Sequence, residues 1–228
     1  MFKSKFLSVA LFGSLALVAL APASYATVLA PGGTVAVYSD FAAGTFGAVV
    51  ADTGIQAVTG VDALNAVTFT GFFRQIVVTD TVTGFLDFLY QVQRSGGPDA
   101  IGRVTTTNYT PAITDVGICS ACADLIAPVG PTKFAPESIG RSGSGNVVEF
   151  QFDPSAVITG NNESFVLVIR TNLPAYIPGS TSIIDGGIDN VNSFAPSAVP
   201  EPVSAGLLLG TLFGAGLFVA RRFRVVQS

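Results

Sequence analysis

The chain has 228 residues, of which 49% are hydrophobic and only 11% charged, with a formal net charge of −4. That balance is too apolar for an ordinary cytosolic protein and assigns part of the chain to a membrane. No histidine occurs anywhere, which excludes a Ser/His/Asp triad, a Cys/His dyad, a histidine-ligated zinc and a histidine general base.

At the start of the chain, Lys3 and Lys5 precede an apolar run from Phe6 to Leu20, followed by Pro22 and the small-residue segment Ala23-Ser24-Tyr25-Ala26. This is the pattern of a secretory signal peptide. Ser24 and Ala26 offer small side chains to a signal peptidase, so cleavage is expected after Ala26, with Ala23 as the competing position. Residues 1–26 are therefore assigned to the leader. A retained anchor is the alternative reading, but a run of 15 residues is short for a bilayer crossing.

From residue 27 to 194 no sustained 3.6-residue periodicity appears, and short β-branched and aromatic runs alternate with glycine and asparagine punctuation. Strands are expected over Thr34 to Tyr38, Phe46 to Val50, Ala66 to Phe73, Gln75 to Thr79, Ile101 to Thr107, Thr114 to Ile118 and Ser182 to Ile184. Leu86, Phe88, Tyr90 and Val92 oppose Asp87 and Gln91, and Val148, Phe150 and Phe152 oppose Glu149 and Gln151, so both segments read as half-buried antiparallel strands. Phe165 to Ile169 is continuously apolar and reads as a central strand covered on both faces. About ten strands predict an all-β exported body, closed as a jelly-roll-like antiparallel β-sandwich of two packed sheets.

Within that body, Cys119 and Cys122 are the sole cysteines. Export favours a local disulfide between them, with free or intermolecular thiols and a redox pair as the alternatives. Gly140 to Gly145 has the glycine content of a phosphate-cradling loop but precedes a strand rather than a helix, so it reads as a flexible surface loop. Residues 27–199 hold six basic and 14 acidic side chains, a formal charge of −8 that disfavours nucleic acid as a partner. Asp185, Asp189 and Asn190 form a candidate calcium-ligating set, against a glycine-enabled hairpin turn as the competing reading. No other cofactor is expected.

At the end of the chain, Pro200-Glu201-Pro202 precedes the uncharged apolar segment 203–220, and Arg221, Arg222 and Arg224 follow it. Eighteen helical residues span about 27 Å, enough for one bilayer crossing, and the arginines hold the short tail 221–228 in the cytoplasm. The prolines keep the 195–202 linker extended and end any helix below it.

This tripartite order resembles the PEP-CTERM sorting tag of proteins exported by Gram-negative bacteria. The resemblance implies that an exosortase, a membrane-embedded cysteine peptidase, recognises Pro200-Glu201-Pro202 and removes the helix, placing the body at the cell surface or outside the cell. Thr83 to Val92 also looks like stretches in the bodies of other such proteins. Signal peptidase and exosortase are thus the expected processing partners, and extracellular polysaccharide is the candidate partner of the exported body. The role expected of the body is noncatalytic, structural or adhesive, in the cell surface or extracellular matrix. A carbohydrate-binding module using Tyr38, Tyr90, Tyr109 and Tyr176 is the alternative, weakened by the absence of tryptophan. An enzyme would have to work with paired carboxylates, which no spacing marks.

Overall fold

The computed structural model describes residues 28–128 and 130–198. They form β1 (Thr34–Val35), β2 (Ser39–Asp40), β3 (Phe46–Asp52), β4 (Gln56–Val61), β5 (Val67–Asp80), β6 (Leu86–Gly96), β7 (Arg103–Thr106), β8 (Thr114–Cys119), β9 (Lys133–Phe134), β10 (Ser138–Arg141), β11 (Val148–Gln151), β12 (Glu163–Ser164), β13 (Val166–Thr171), β14 (Ala175–Asp185) and β15 (Gly187–Ser197). Among the described residues the helical content is a single 3-10 turn at Ala43–Thr45. The all-β expectation is met.

The strands make one curled sheet in the order β1-β10-β11-β7-β14-β15-β4-β5-β6-β13-β8-β2. Two antiparallel sheets were expected; the continuity of this path and the parallel pairings of β2 with β8 and of β9 with β12 correct that to a single mixed sheet. The sandwich-like core survives, because curling brings the two halves of the sheet face to face. Phe73, Phe88 and Tyr90 from one half share a core with Val104, Ile139 and Phe150 from the other. The Tyr90 and Phe150 rings lie 6.3 Å apart.

One short stretch of chain reaches both ends of the strand order. β1 pairs with β10 and β2 pairs with β8, so residues 34–40 cover two edges that would otherwise expose unpaired amides. The approach of β2 is close: a Cβ on Gly117 would stand 2.0 Å from the Ser39 carbonyl oxygen, so only glycine fits there.

Several strands follow their sequence pattern. In β11, Val148 and Phe150 are buried while Glu149 and Gln151 are half-buried. β13 lies between β6 and β8 and is covered on both faces, as its continuous apolar run requires. The β14–β15 hairpin turns at Gly186, whose φ of 58° suits glycine.

Other readings are corrected. The two strands expected on either side of Arg74 are one 14-residue strand, β5, because Arg74 points to Asp52 at 2.6 Å and leaves the ladder unbroken. β15 runs to Ser197, past the expected body limit of 194, because Ala175 to Ile177 pair with Ala195 to Ser197. Gly140 and Arg141 belong to β10 rather than to a loop, and β4 was not anticipated. β6 is buried on both faces rather than half-buried. Its outward face is covered by a second cluster in which Leu89 meets Phe41, Leu125 and Val168.

Candidate functional site

The polar residues of β6 mark the place where this fold departs from a plain apolar core. Strand alternation directs Leu86, Phe88, Tyr90 and Val92 into the main core and Asp87, Gln91 and Gln93 to the opposite face. There the loop after β8 and the Phe41 segment close over them, so all three are about 99% buried or more.

At one end of this face, Asp87 stands directly across from Arg170, which in turn stands across from Asp115. Arg170 Nε lies 3.4 Å from Asp87 Oδ2, and Nη1 lies 3.3 Å from Asp80 Oδ2. The guanidinium is roofed by aromatic rings, 4.3 Å from the Phe41 centroid and 5.4 Å from that of Phe46. Asp80 is further bound by the amides of Val82 and Thr83, which donate to Oδ1 at 2.8 and 2.6 Å. Asp87 differs: neither of its oxygens accepts a hydrogen bond. Burial pushes its carboxyl up to about 8; Arg170 opposes that shift, and Asp80 and Asp115 add to it.

The middle of the face binds the loop that follows β8. Gln91 Oε1 accepts the amides of Leu125 and Ile126 at 2.7 and 3.0 Å, and its Nε2 donates to Asp124 Oδ1 at 2.9 Å. Gln93 donates to the Ala127 carbonyl at 2.9 Å and to Glu163 Oε2 at 3.1 Å. Lys133 pairs with Asp124 and reaches Glu163 Oε1 at 3.9 Å. Burial raises the Glu163 carboxyl above its ordinary range.

Cys119 and Cys122 are bonded to each other at the root of this loop, as expected from the sequence. The ring they close is small, so their removal should cost about 2 kcal/mol by chain entropy. A Cys119→Ser/Cys122→Ser protein is therefore expected to fold, with a free energy of unfolding, measured in urea, lowered by that amount. Loss of folding would show that the bond sets the whole loop over β6.

The sequence-nominated calcium set divides between two faces of the hairpin. Asp185 and Asp189 share one face by the pairing register, and Asn190 lies on the other. Asp189 Oδ2 accepts the Thr59 amide at 2.7 Å, and Asn190 Oδ1 accepts from Ser182 Oγ at 2.5 Å. Asp185 instead neighbours Asp153 and Asp99; burial first, and then these carboxylates, raise its carboxyl. Among the described residues no group of three histidine, cysteine or carboxylate side chains is placed to hold a metal ion.

Of the four tyrosines proposed as a sugar platform, Tyr90 and Tyr109 are in the core and hydrogen-bond each other. Tyr38 donates to the Pro136 carbonyl, and Tyr176 is exposed with its ring against Phe194. Sequence reasoning missed the role of Arg141. It is buried, and its guanidinium makes five hydrogen bonds of 2.7 to 3.2 Å to Leu29, Tyr109, Ala112, Thr114 and Gly145. Its position inside a glycine-serine stretch concealed that.

The signal-cleavage residue Ala26 and the sorting residues Pro200, Glu201, Pro202, Arg221, Arg222 and Arg224 lie outside the described residues, as does segment 203–220. Among the described residues no helix is long and apolar enough to cross a membrane. No protein-family model, curated protein or solved structure matches the chain.

Proposed function

We propose that this chain is an exported protein bearing a PEP-CTERM-type sorting tag, delivered across the inner membrane, trimmed by signal peptidase and an exosortase, and left at the cell surface or in the extracellular matrix. The observation that carries the reading is the order Pro200-Glu201-Pro202, uncharged segment 203–220, then Arg221, Arg222 and Arg224. Each part does something physically distinct. The prolines present extended peptide to a protease, the apolar segment is long enough for the hydrocarbon layer, and the arginines resist translocation. The bonded cysteine pair agrees with an oxidising destination.

For the body, whose curled sheet we read as a jelly-roll-like sandwich, the role proposed is noncatalytic, structural or adhesive. Its buried carboxylates surround Arg170 beneath two phenylalanine rings, an arrangement suited to holding strands together. The carbohydrate-module reading is less supported, because Tyr90 and Tyr109 are occupied in the core.

Intact mass of the surface form tests the proposal. The expected species begins at Thr27 and lacks residues 203–228. A surface species that retains 203–220 overturns processing by an exosortase and leaves an ordinary membrane-anchored protein.

A further inference from the structure

The connections at one end of the sheet carry no formal charge. That end contains the β5–β6 turn, the β13–β14 connection, the approach to β8 and the last residues of β15. Segments 81–86, 107–114, 171–184 and 191–200 contain no aspartate, glutamate, lysine or arginine. These connections are joined to one another: the Leu86 amide donates to the Leu173 carbonyl at 3.0 Å, the Ile113 amide to Asn172 Oδ1 at 2.8 Å, and the Tyr176 hydroxyl to the Val50 carbonyl at 3.3 Å. Val50, Val82, Ile113, Tyr176 and Ile177 are all exposed there, Val82 by 80%.

The opposite end also exposes apolar side chains, with Leu64 at 86%, but Asp62, Asp99, Asp153 and Asp185 stand among its turns. The exposed surface is therefore polarised along the strands, with a neutral apolar end, beneath which Asp80, Asp87, Asp115 and Arg170 are enclosed, and an acidic end.

Chain length fixes which end can meet a membrane. β15 finishes at Ser197 beside Ala175, at the neutral end. Five residues separate Ser197 from Val203, the first residue of the apolar segment, and even fully extended they reach only about 20 Å. β5, with 14 residues, is about 45 Å long. The tether is too short to invert the body over the bilayer.

We infer that the neutral end, around Val82, Ile113, Tyr176 and Ile177, is a lipid-facing surface that rests on the bilayer interface while the apolar segment 203–220 remains in the membrane. This inference rests on the sorting reading and adds an orientation to it. Burying exposed valine and isoleucine in the interface is favourable at about 25 cal/mol per Å². An uncharged surface meets the headgroups without dehydrating a carboxylate. The acidic end would face the aqueous side, away from any anionic lipid.

The test uses the chain with residues 203–228 retained, reconstituted in phosphatidylcholine vesicles. Cys119 and Cys122 are bonded to each other, so a single introduced cysteine can be labelled selectively. Val82→Cys and Leu64→Cys, which replace similarly exposed side chains at the two ends, are each coupled to an environment-sensitive fluorophore. Headgroup spin-labelled lipid is expected to quench the label at position 82 and to spare the one at position 64. Flotation with the vesicles but equal, unquenched emission from both labels overturns the lipid-facing surface and leaves the sorting reading intact. Failure to float overturns the membrane helix and the inference together. Shielding of the position 82 label that grows with protein concentration and ignores spin-labelled lipid assigns the surface to a second copy and overturns the inference.

Discussion

From pH 6 to pH 8 the protein should lose about 2 kcal/mol of stability, most steeply below pH 7, and Asp87→Asn should remove that slope. The reason is the raised carboxyl of Asp87, which stands near 8 in the folded chain against about 3.9 in an unfolded one. In the interval between those values, the native state holds a proton that the unfolded state has released. Stability is therefore greatest below the unfolded value and declines as pH rises through the folded one. The groups facing Asp87 are Asp80 from β5, Arg170 from β13 and Asp115 from β8. One guanidinium cannot neutralise three buried carboxylates, so the carboxylate without hydrogen-bond partners keeps its proton.

Urea unfolding at several pH values measures the effect. Glu163 and Asp185 are also raised and contribute with the same sign at lower pH, so the variant should flatten the upper part of the profile. An unchanged slope in Asp87→Asn would show that Asp87 is ionised in the native protein and that the Arg170 pairing dominates its burial. Asp80→Asn makes a useful comparison: it removes one of the charges that raise Asp87, but it also disturbs the Val82 and Thr83 amides. It should therefore destabilise at every pH.

These residues also show what was legible in the sequence. The alternation in Val148 to Phe152 and the unbroken apolar run of β13 record burial directly, because each side chain's polarity matches its surroundings. The Cys119–Cys122 bond and the Gly186 turn are local, set by residues three or fewer apart. β6 has the same alternation as β11, yet its polar residues are buried. Period-two patterning says which residues share a face; it does not say whether water or another piece of chain covers that face.

What covers β6 comes from far away, from Phe41 and from the loop carrying Leu125. Neither contact leaves a mark on the strand itself. The same holds for the single-sheet topology, which depends on the β14–β15 hairpin pairing with β7 on one side and with β4 on the other. The proposed sorting tag can be read from sequence alone for the opposite reason. Its chemistry is contained in one continuous stretch and needs no tertiary partner.

Arg141 carries the other large effect: Arg141→Met is expected to destabilise the protein by about 3 to 5 kcal/mol. The side chain joins three separated parts of the chain. Its Nε donates to the Gly145 carbonyl at 3.0 Å, its Nη1 to the Leu29 carbonyl at 3.1 Å, and its Nη2 to the carbonyls of Tyr109 and Ala112 at 2.7 and 2.8 Å. Methionine fills the space but takes the donor from the Ala112 and Gly145 carbonyls, the expensive half of losing a hydrogen bond, while the Leu29 and Tyr109 carbonyls keep only the Thr114 hydroxyl and the Ala112 amide. Lysine keeps the charge and offers three donors from one atom, so it cannot span the planar fork and should recover only part of the loss. Arg103→Met is the contrasting case. Arg103 lies 3.4 Å from Glu149 with both side chains more than a third exposed, and such pairs contribute no more than about 1 kcal/mol. The contact with Leu29 adds a second readout. Cleavage after Ala26 would leave Leu29 only three residues from a free amino terminus, where chains fray unless held. Arg141→Met should therefore expose residues 28–33 to limited proteolysis before the sheet unfolds, whereas Arg103→Met should not. Equal stability and equal proteolysis in the two variants would mean that ordered water replaces the guanidinium and that Arg141 is not what fastens the first residues of the body to β8 and β10.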